Sequence, residues 1–107
     1  MNTENEIKEQ IEANPILLYM KGSPDAPQCG FSSRASQLLI SCGKPFSFVD
    51  ILNNPEIRST LPSVSDWPTF PQLFINGELI GGSDIMNEMF DSGELQKVIE
   101  TVEIPEN

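Results

Sequence analysis

The fold is decided by ILLYMKGSPDAPQCGFSSRASQLLISCG, residues 16–43. Its first five residues are a continuous apolar run between Pro15 and Gly22. A short run without alternation reads as a strand buried on both faces. A Gly/Ser/Pro loop follows over 21–28. From Cys29 to about Cys42, the positions Phe31, Ala35, Leu38, Leu39 and Cys42 recur at helical spacing, and Gly43 is a good stop. A strand, a loop and a long helix form the first half of a parallel crossover, which is right-handed in nearly all proteins.

The flanks complete the pattern. Thr3 and Glu6 make an S/T-x-x-E capping box for a short helix that carries Ile7 and Ile11 on one face and ends near Asn14-Pro15. Residues 46–51, FSFVDI, alternate like a strand. Asn54 caps a helix with Pro55 at its first position, running to about Val64. Residues 72–75 (QLFI) and 78–80 (ELI) flank Asn76-Gly77, a type I′ hairpin signal. Ser83 and Asp84 begin a last helical region, broken near Ser92-Gly93 and resuming to about Val102. The order α-β-α-β-α-β-β-α predicts an α/β fold: a four-stranded mixed sheet with helices on both faces and an extra N-terminal helix. The 107 residues suit a single domain, with an ordered core over about 3–102.

Composition narrows the function. Six basic against sixteen acidic residues leave a net charge of −10. Nucleic acid and anionic membrane surfaces both require the opposite balance. No run approaches the ~18 apolar residues of a membrane span. The polar, acidic start MNTENEIKEQIEANP is unlike a secretory signal or transit peptide, so two cysteines here imply free thiols in a reducing, cytoplasmic setting. The absence of histidine excludes a His-based proton shuttle or metal ligand.

Cys29 is the sharpest chemical feature. It opens a helix, where unpaired N–H groups and the macrodipole favour an anion. A thiolate is the form that attacks disulfides or binds metal. Lys21, at the end of the first strand, can add positive charge. Cys42 reads instead as a buried apolar structural cysteine. The two cannot pair: the intervening helix spans about 20 Å, whereas disulfide Cα atoms lie within ~7 Å. Ser32 stands where a dithiol site would carry its second cysteine, and it cannot resolve a disulfide.

CGFS at 29–32 resembles the signature of the monothiol glutaredoxins. KGSP at 21–24, WPTFPQL at 67–73 and GELIGGSDI at 77–85 are similar to that family's other blocks. The resemblance covers nearly the whole chain and leans toward the bacterial single-domain members. It implies a thioredoxin-like fold, glutathione binding, and a 2Fe–2S cluster bridging two protomers. Each protomer would give one cysteine thiolate, here Cys29, and each bound glutathione another, meeting the all-thiolate requirement of such a cluster.

Further roles follow from the same resemblance. Lys21 and Arg58 would take carboxylates of glutathione. Thr69, Phe70 and Pro71 would present backbone to its cysteine in a strand-like manner, with Pro71 after a cis bond, although the residues alone do not choose between Pro68 and Pro71. Gly81-Gly82 permit close backbone approach. Ser83 and Asp84 would hold the γ-glutamyl end through N–H groups and the Asp84 side chain, while Ser83 also reads as an ordinary N-cap. Trp67 reads equally as loop packing or as partner surface. One departure is Ser83 itself, where many relatives have a cysteine; a redox switch built on that second thiol is not available here.

The expected function is therefore a cluster carrier in iron–sulfur assembly, transfer and iron homeostasis. Its expected partners are a second copy of itself, BolA-type proteins and apo iron–sulfur recipients. The alternative is a glutathione-dependent oxidoreductase working through a Cys29–glutathione mixed disulfide. The extended KGSPDAPQ loop, similar to that of the CGFS class, favours the carrier.

Overall fold

All five residues of β1 (Ile16–Met20) are buried, because this strand lies inside the sheet with helices over both faces. The computed structural model describes residues 2–104. In chain order its other elements are α1 (Thr3–Ala13), α2 (Gly30–Ser41), β2 (Ser47–Asp50), α3 (Pro55–Ser65), β3 (Gln72–Ile75), β4 (Glu78–Gly81), α4 (Ser83–Ser92) and α5 (Glu94–Glu100). The sheet order is β2-β1-β3-β4. β1 pairs parallel with β2, Leu18 opposite Phe48, and antiparallel with β3, Leu18 opposite Leu73. The expected mixed four-stranded sheet is therefore present.

Strand alternation divides the core in two. Ile16, Leu18 and Met20 of β1 join Leu73 and Ile75 of β3 beneath Leu38, Leu39, Met86, Leu95 and Ile99 of α2, α4 and α5. Leu17, Tyr19 and Phe74 face the other way, against Ile7 of α1 and Ile57 and Leu61 of α3. Tyr19 and Phe74 meet edge to face at 5.8 Å. The Tyr19 hydroxyl donates to Gln10 Oε1 at 2.7 Å, which satisfies the one hydroxyl among the side chains of this run.

Local signals account for the ends of the elements. The hairpin turn has positive φ at both Asn76 (50°) and Gly77 (83°), as a type I′ turn requires. Gly93 (φ 83°) separates α4 from α5. Three caps differ from expectation. Asn2, not Thr3, caps α1: its Oδ1 accepts from the Glu4 N–H at 2.8 Å, which makes Thr3 the first helical residue. Asn54 holds the cap position of α3 without a side-chain cap bond; its amide donates instead to the Asp50 carbonyl at 2.8 Å. Gly82 caps α4, so Ser83 is the first helical residue rather than the cap. Among the described residues no helix is long and apolar enough to cross a membrane.

Candidate functional site

Cys29 is the N-cap of α2. Its Sγ accepts from the Ser32 N–H at 3.3 Å and lies 3.5 Å from the Ser32 hydroxyl. That hydroxyl is fully buried and already accepts the Lys21 N–H at 2.9 Å. Its own proton is therefore free to point at the sulfur. Partial burial pushes the Cys29 thiol up, but the Ser32 hydroxyl, the N–H groups of Ser32 and Phe31, and the Lys21 charge outweigh it and hold the thiol below its ordinary range. At the other end of the helix, burial alone pushes the Cys42 thiol up. Both thiols are free.

The loop before Cys29 is closed on itself. Gln28 N–H donates to the Lys21 carbonyl at 2.9 Å, and Ala26 N–H to the Ser23 carbonyl at 3.1 Å. Gly22 makes the reversal, with φ at +89°. A Cβ there would come within 2.5 Å of the Ala26 carbonyl oxygen, so only glycine fits.

A cavity of about 610 Å³ is bordered by Lys21 and by Phe31, two residues after Cys29; Cys29 itself does not line it. Lys21, Arg58, Thr69, Phe70, Pro71, Ser83 and Asp84 all line it. These are the residues expected at a glutathione site, and they arrive from four separate parts of the chain. The Phe70–Pro71 bond is cis. Gln72, fully buried at the start of β3, donates from its amide to the carbonyls of Trp67 (2.9 Å) and Thr69 (3.0 Å) and so ties the 67–71 segment down. In the first turn of α4, the N–H groups of Ser83 and Asp84 have no intrahelical partner. Neither Lys21 nor Arg58 has a carboxylate within ion-pair distance; among the described residues the one such pair is Lys8–Glu4 on α1.

Phe31, Pro62, Trp67, Pro68, Gly82 and Ile85 complete the lining. Phe31 is 65% exposed and also borders a second cavity of about 680 Å³ with Arg34, Asn87 and Glu88. The Trp67 ring lies near Gly82, where an added Cβ would come within 3.6 Å of its Nε1. Local sequence marks Ser32 only as the residue in place of a second cysteine and assigns Asp50 no role. Asp50 Oδ1 accepts the N–H groups of Gly22 and Leu52, each at 2.9 Å.

Fold and site together define a thioredoxin-like protein with one activated thiol at a helix start. Residues 16–80 match the family model described as Glutaredoxin. The chain is 61% identical over 99 residues to a protein of Haemophilus ducreyi named Glutaredoxin 4, covering 92% of each chain. It is similar to reduced poplar apo GrxS14 in solution (TM-score 0.78, 45% identity, 91% of this chain and 89% of that one). It is also similar to the holo form of glutaredoxin C1 from Populus tremula x tremuloides (TM-score 0.81, 26% identity, 92% and 86%). The chain belongs to the glutaredoxin family, in its monothiol branch.

Proposed function

We propose that this protein binds glutathione in the 610 Å³ cavity and, with a second copy, carries a 2Fe–2S cluster between Cys29 thiolates for delivery to apo-proteins. One observation supports this above all: seven residues suited to a peptide with two carboxylates line one cavity, which Phe31 borders two residues from the activated Cys29 thiol. Lys21 and Arg58 bring unpaired positive charge for the carboxylates. The backbone at 69–71 can pair with the peptide in extended form. The free N–H groups of Ser83 and Asp84 favour the other anionic end, and the Asp84 carboxylate the ammonium.

The donor set fits a shared cluster. Among the described residues no group of three or more Cys, Asp or Glu can hold a metal ion. One copy supplies a single soft thiolate, so four thiolates require a second copy and two glutathione sulfurs. The bound cluster would supply iron with labile thiolate bonds, suited to exchange. The chain's own part is to hold Cys29 as thiolate through Ser32 and Lys21, to orient glutathione, and to offer the exposed Phe31 as apolar surface for the second copy or a BolA-type protein. The buried hydroxyl of Ser32 leaves no internal disulfide to compete for the sulfur.

Anaerobic reconstitution with iron, sulfide and glutathione tests this reading. A coloured dimer is expected that requires both glutathione and Cys29. No visible charge-transfer band, or one that survives Cys29→Ser, refutes it. The same low thiol near the same cavity also supports the oxidoreductase reading. Turnover of a glutathionylated peptide above background, lost with Cys29→Ser, would favour that reading.

A further inference from the structure

Asp50 lies at the end of β2 and does not line the cavity. Its hydrogen bonds nonetheless reach both segments that bring cations to it. Oδ1 accepts the Gly22 N–H at 2.9 Å, one residue from Lys21. The same oxygen accepts the Leu52 N–H at 2.9 Å, and Oδ2 accepts from the Asn53 amide at 3.1 Å. The Asp50 carbonyl accepts from the Asn54 amide at 2.8 Å, and the Asn54 carbonyl accepts the Arg58 N–H at 3.0 Å. The carboxylate thus fastens the start of the 21–28 loop to the turn after β2 at Leu52 and Asn53, while the tie to Asn54 runs through the main-chain carbonyl and stays in place when the side chain is changed.

The β1–β2 ladder already joins the strands these segments leave, with Met20 opposite Asp50 and the Ile51 N–H donating to the Met20 carbonyl at 2.9 Å; the Asp50 carboxylate carries the tie on to Gly22. Gly22 is 28 residues from Asp50 in sequence and stands in a left-handed conformation inside a tightly closed loop. Lys21 also has its N–H on Ser32 and its carbonyl on Gln28, so any shift at Gly22 moves an already tethered backbone. Asn54 gives α3 no side-chain cap bond; its amide donates to the Asp50 carbonyl.

We propose that Asp50 is a positioning residue that sets the separation of Lys21 and Arg58, and with it the affinity for a ligand bearing two carboxylates. The inference rests on the glutathione reading above. It adds that the recognition depends on a carboxylate outside the cavity, acting through Gly22 on one side and the β2–α3 turn on the other. Either cation alone needs no such spacer; a ligand that spans both does.

The test is a double-mutant cycle read by glutathione titration calorimetry on the full chain, with thermal unfolding alongside. Loss of one charge-assisted contact costs ~1.5 kcal/mol or more, so Lys21→Ala and Arg58→Ala should each weaken binding about tenfold. Asp50→Ala should weaken it about as much, yet add little on top of Lys21→Ala or Arg58→Ala. Asp50→Asn keeps an Oδ1 acceptor for Gly22 and Leu52 and should bind within about twofold of wild type. Full additivity with both cation variants overturns the proposal. So does Asp50→Ala with unchanged affinity, or Asp50→Asn as weak as Asp50→Ala. If the wild-type chain shows no glutathione binding, or both cation variants bind like wild type, the glutathione reading itself fails. If the cation variants weaken and Asp50→Ala does not, only the positioning role fails.

Discussion

Replacing Ser32 by Ala tests the central feature of the site. The change removes a hydroxyl that accepts the Lys21 N–H at 2.9 Å and faces the Cys29 sulfur at 3.5 Å. Two losses follow. The Lys21 amide keeps no acceptor in a partly buried place, costing about 1–3 kcal/mol. At ~4 °C per kcal/mol for a domain of this size, the melting temperature should fall by at least ~4 °C. The sulfur also loses a donor that favours its charged form, so the thiol rises toward its ordinary range and less thiolate is present at neutral pH. A hydrogen bond to a charged group is worth ~1.5–3 kcal/mol, but the contact is long and the sulfur only partly buried. Iodoacetamide alkylation of Cys29 at neutral pH, followed by peptide mass, should therefore slow by about threefold to tenfold. Ser36→Ala is the control. Ser36 is equally buried on α2, but its hydroxyl donates to the Ser33 carbonyl and is not bonded to Cys29. If Ser32→Ala melts earlier while Cys29 reacts as before, or if Ser36→Ala slows the reaction as much, the activation argument is wrong.

Other expectations are equally direct. Gly22→Ala forces a Cβ to within 2.5 Å of the Ala26 carbonyl at φ +89°, and urea unfolding should show a loss of ~1–3 kcal/mol. Lys44 donates from Nζ to the carbonyls of Ile99 (2.9 Å), Glu100 (3.0 Å) and Val102. Lys44→Met should therefore cost ~1 kcal/mol in thermal unfolding while glutathione affinity stays unchanged. Because the folded-state Cys29 thiol is lowered, its contribution to stability is fully present above the ordinary value of ~8.5 and is lost as pH falls through the lower folded value. The stability difference between wild type and Cys29→Ser, measured under reductant, should then grow as pH rises toward the ordinary thiol value of ~8.5 and level off above it; a flat difference contradicts the lowered thiol.

What could be read from sequence depended on range. ILLYM, Asn76-Gly77 and the spacing from Phe31 to Leu39 are local patterns, and each produced its element. The α1 cap was misassigned because Asn2 and Thr3 are both good capping residues, and Thr3-x-x-Glu6 matched a motif the backbone does not use. The lining residues of the cavity were legible only through resemblance to a family, since their own neighbourhoods resemble any helix or loop. The roles of Ser32 and Asp50 were not legible. Asp50 reaches Gly22 across 28 residues and Ser32 reaches Lys21 across 11, and neither residue type signals a distant partner; the contact of Ser32 with the Cys29 sulfur is local, three residues away, and depends on the cap geometry of α2.

The two cysteines sit at opposite ends of α2, one favoured as thiolate and the other held protonated by burial. A single chain therefore contains its own reference thiol. In any labelling time course, the ratio of adduct at Cys29 to adduct at Cys42 cancels errors in reagent concentration and protein amount. Glutathione entering the cavity should lower that ratio by covering Cys29 alone, whereas unfolding should drive it toward one. Site occupancy and loss of fold can thus be told apart in one unmodified sample.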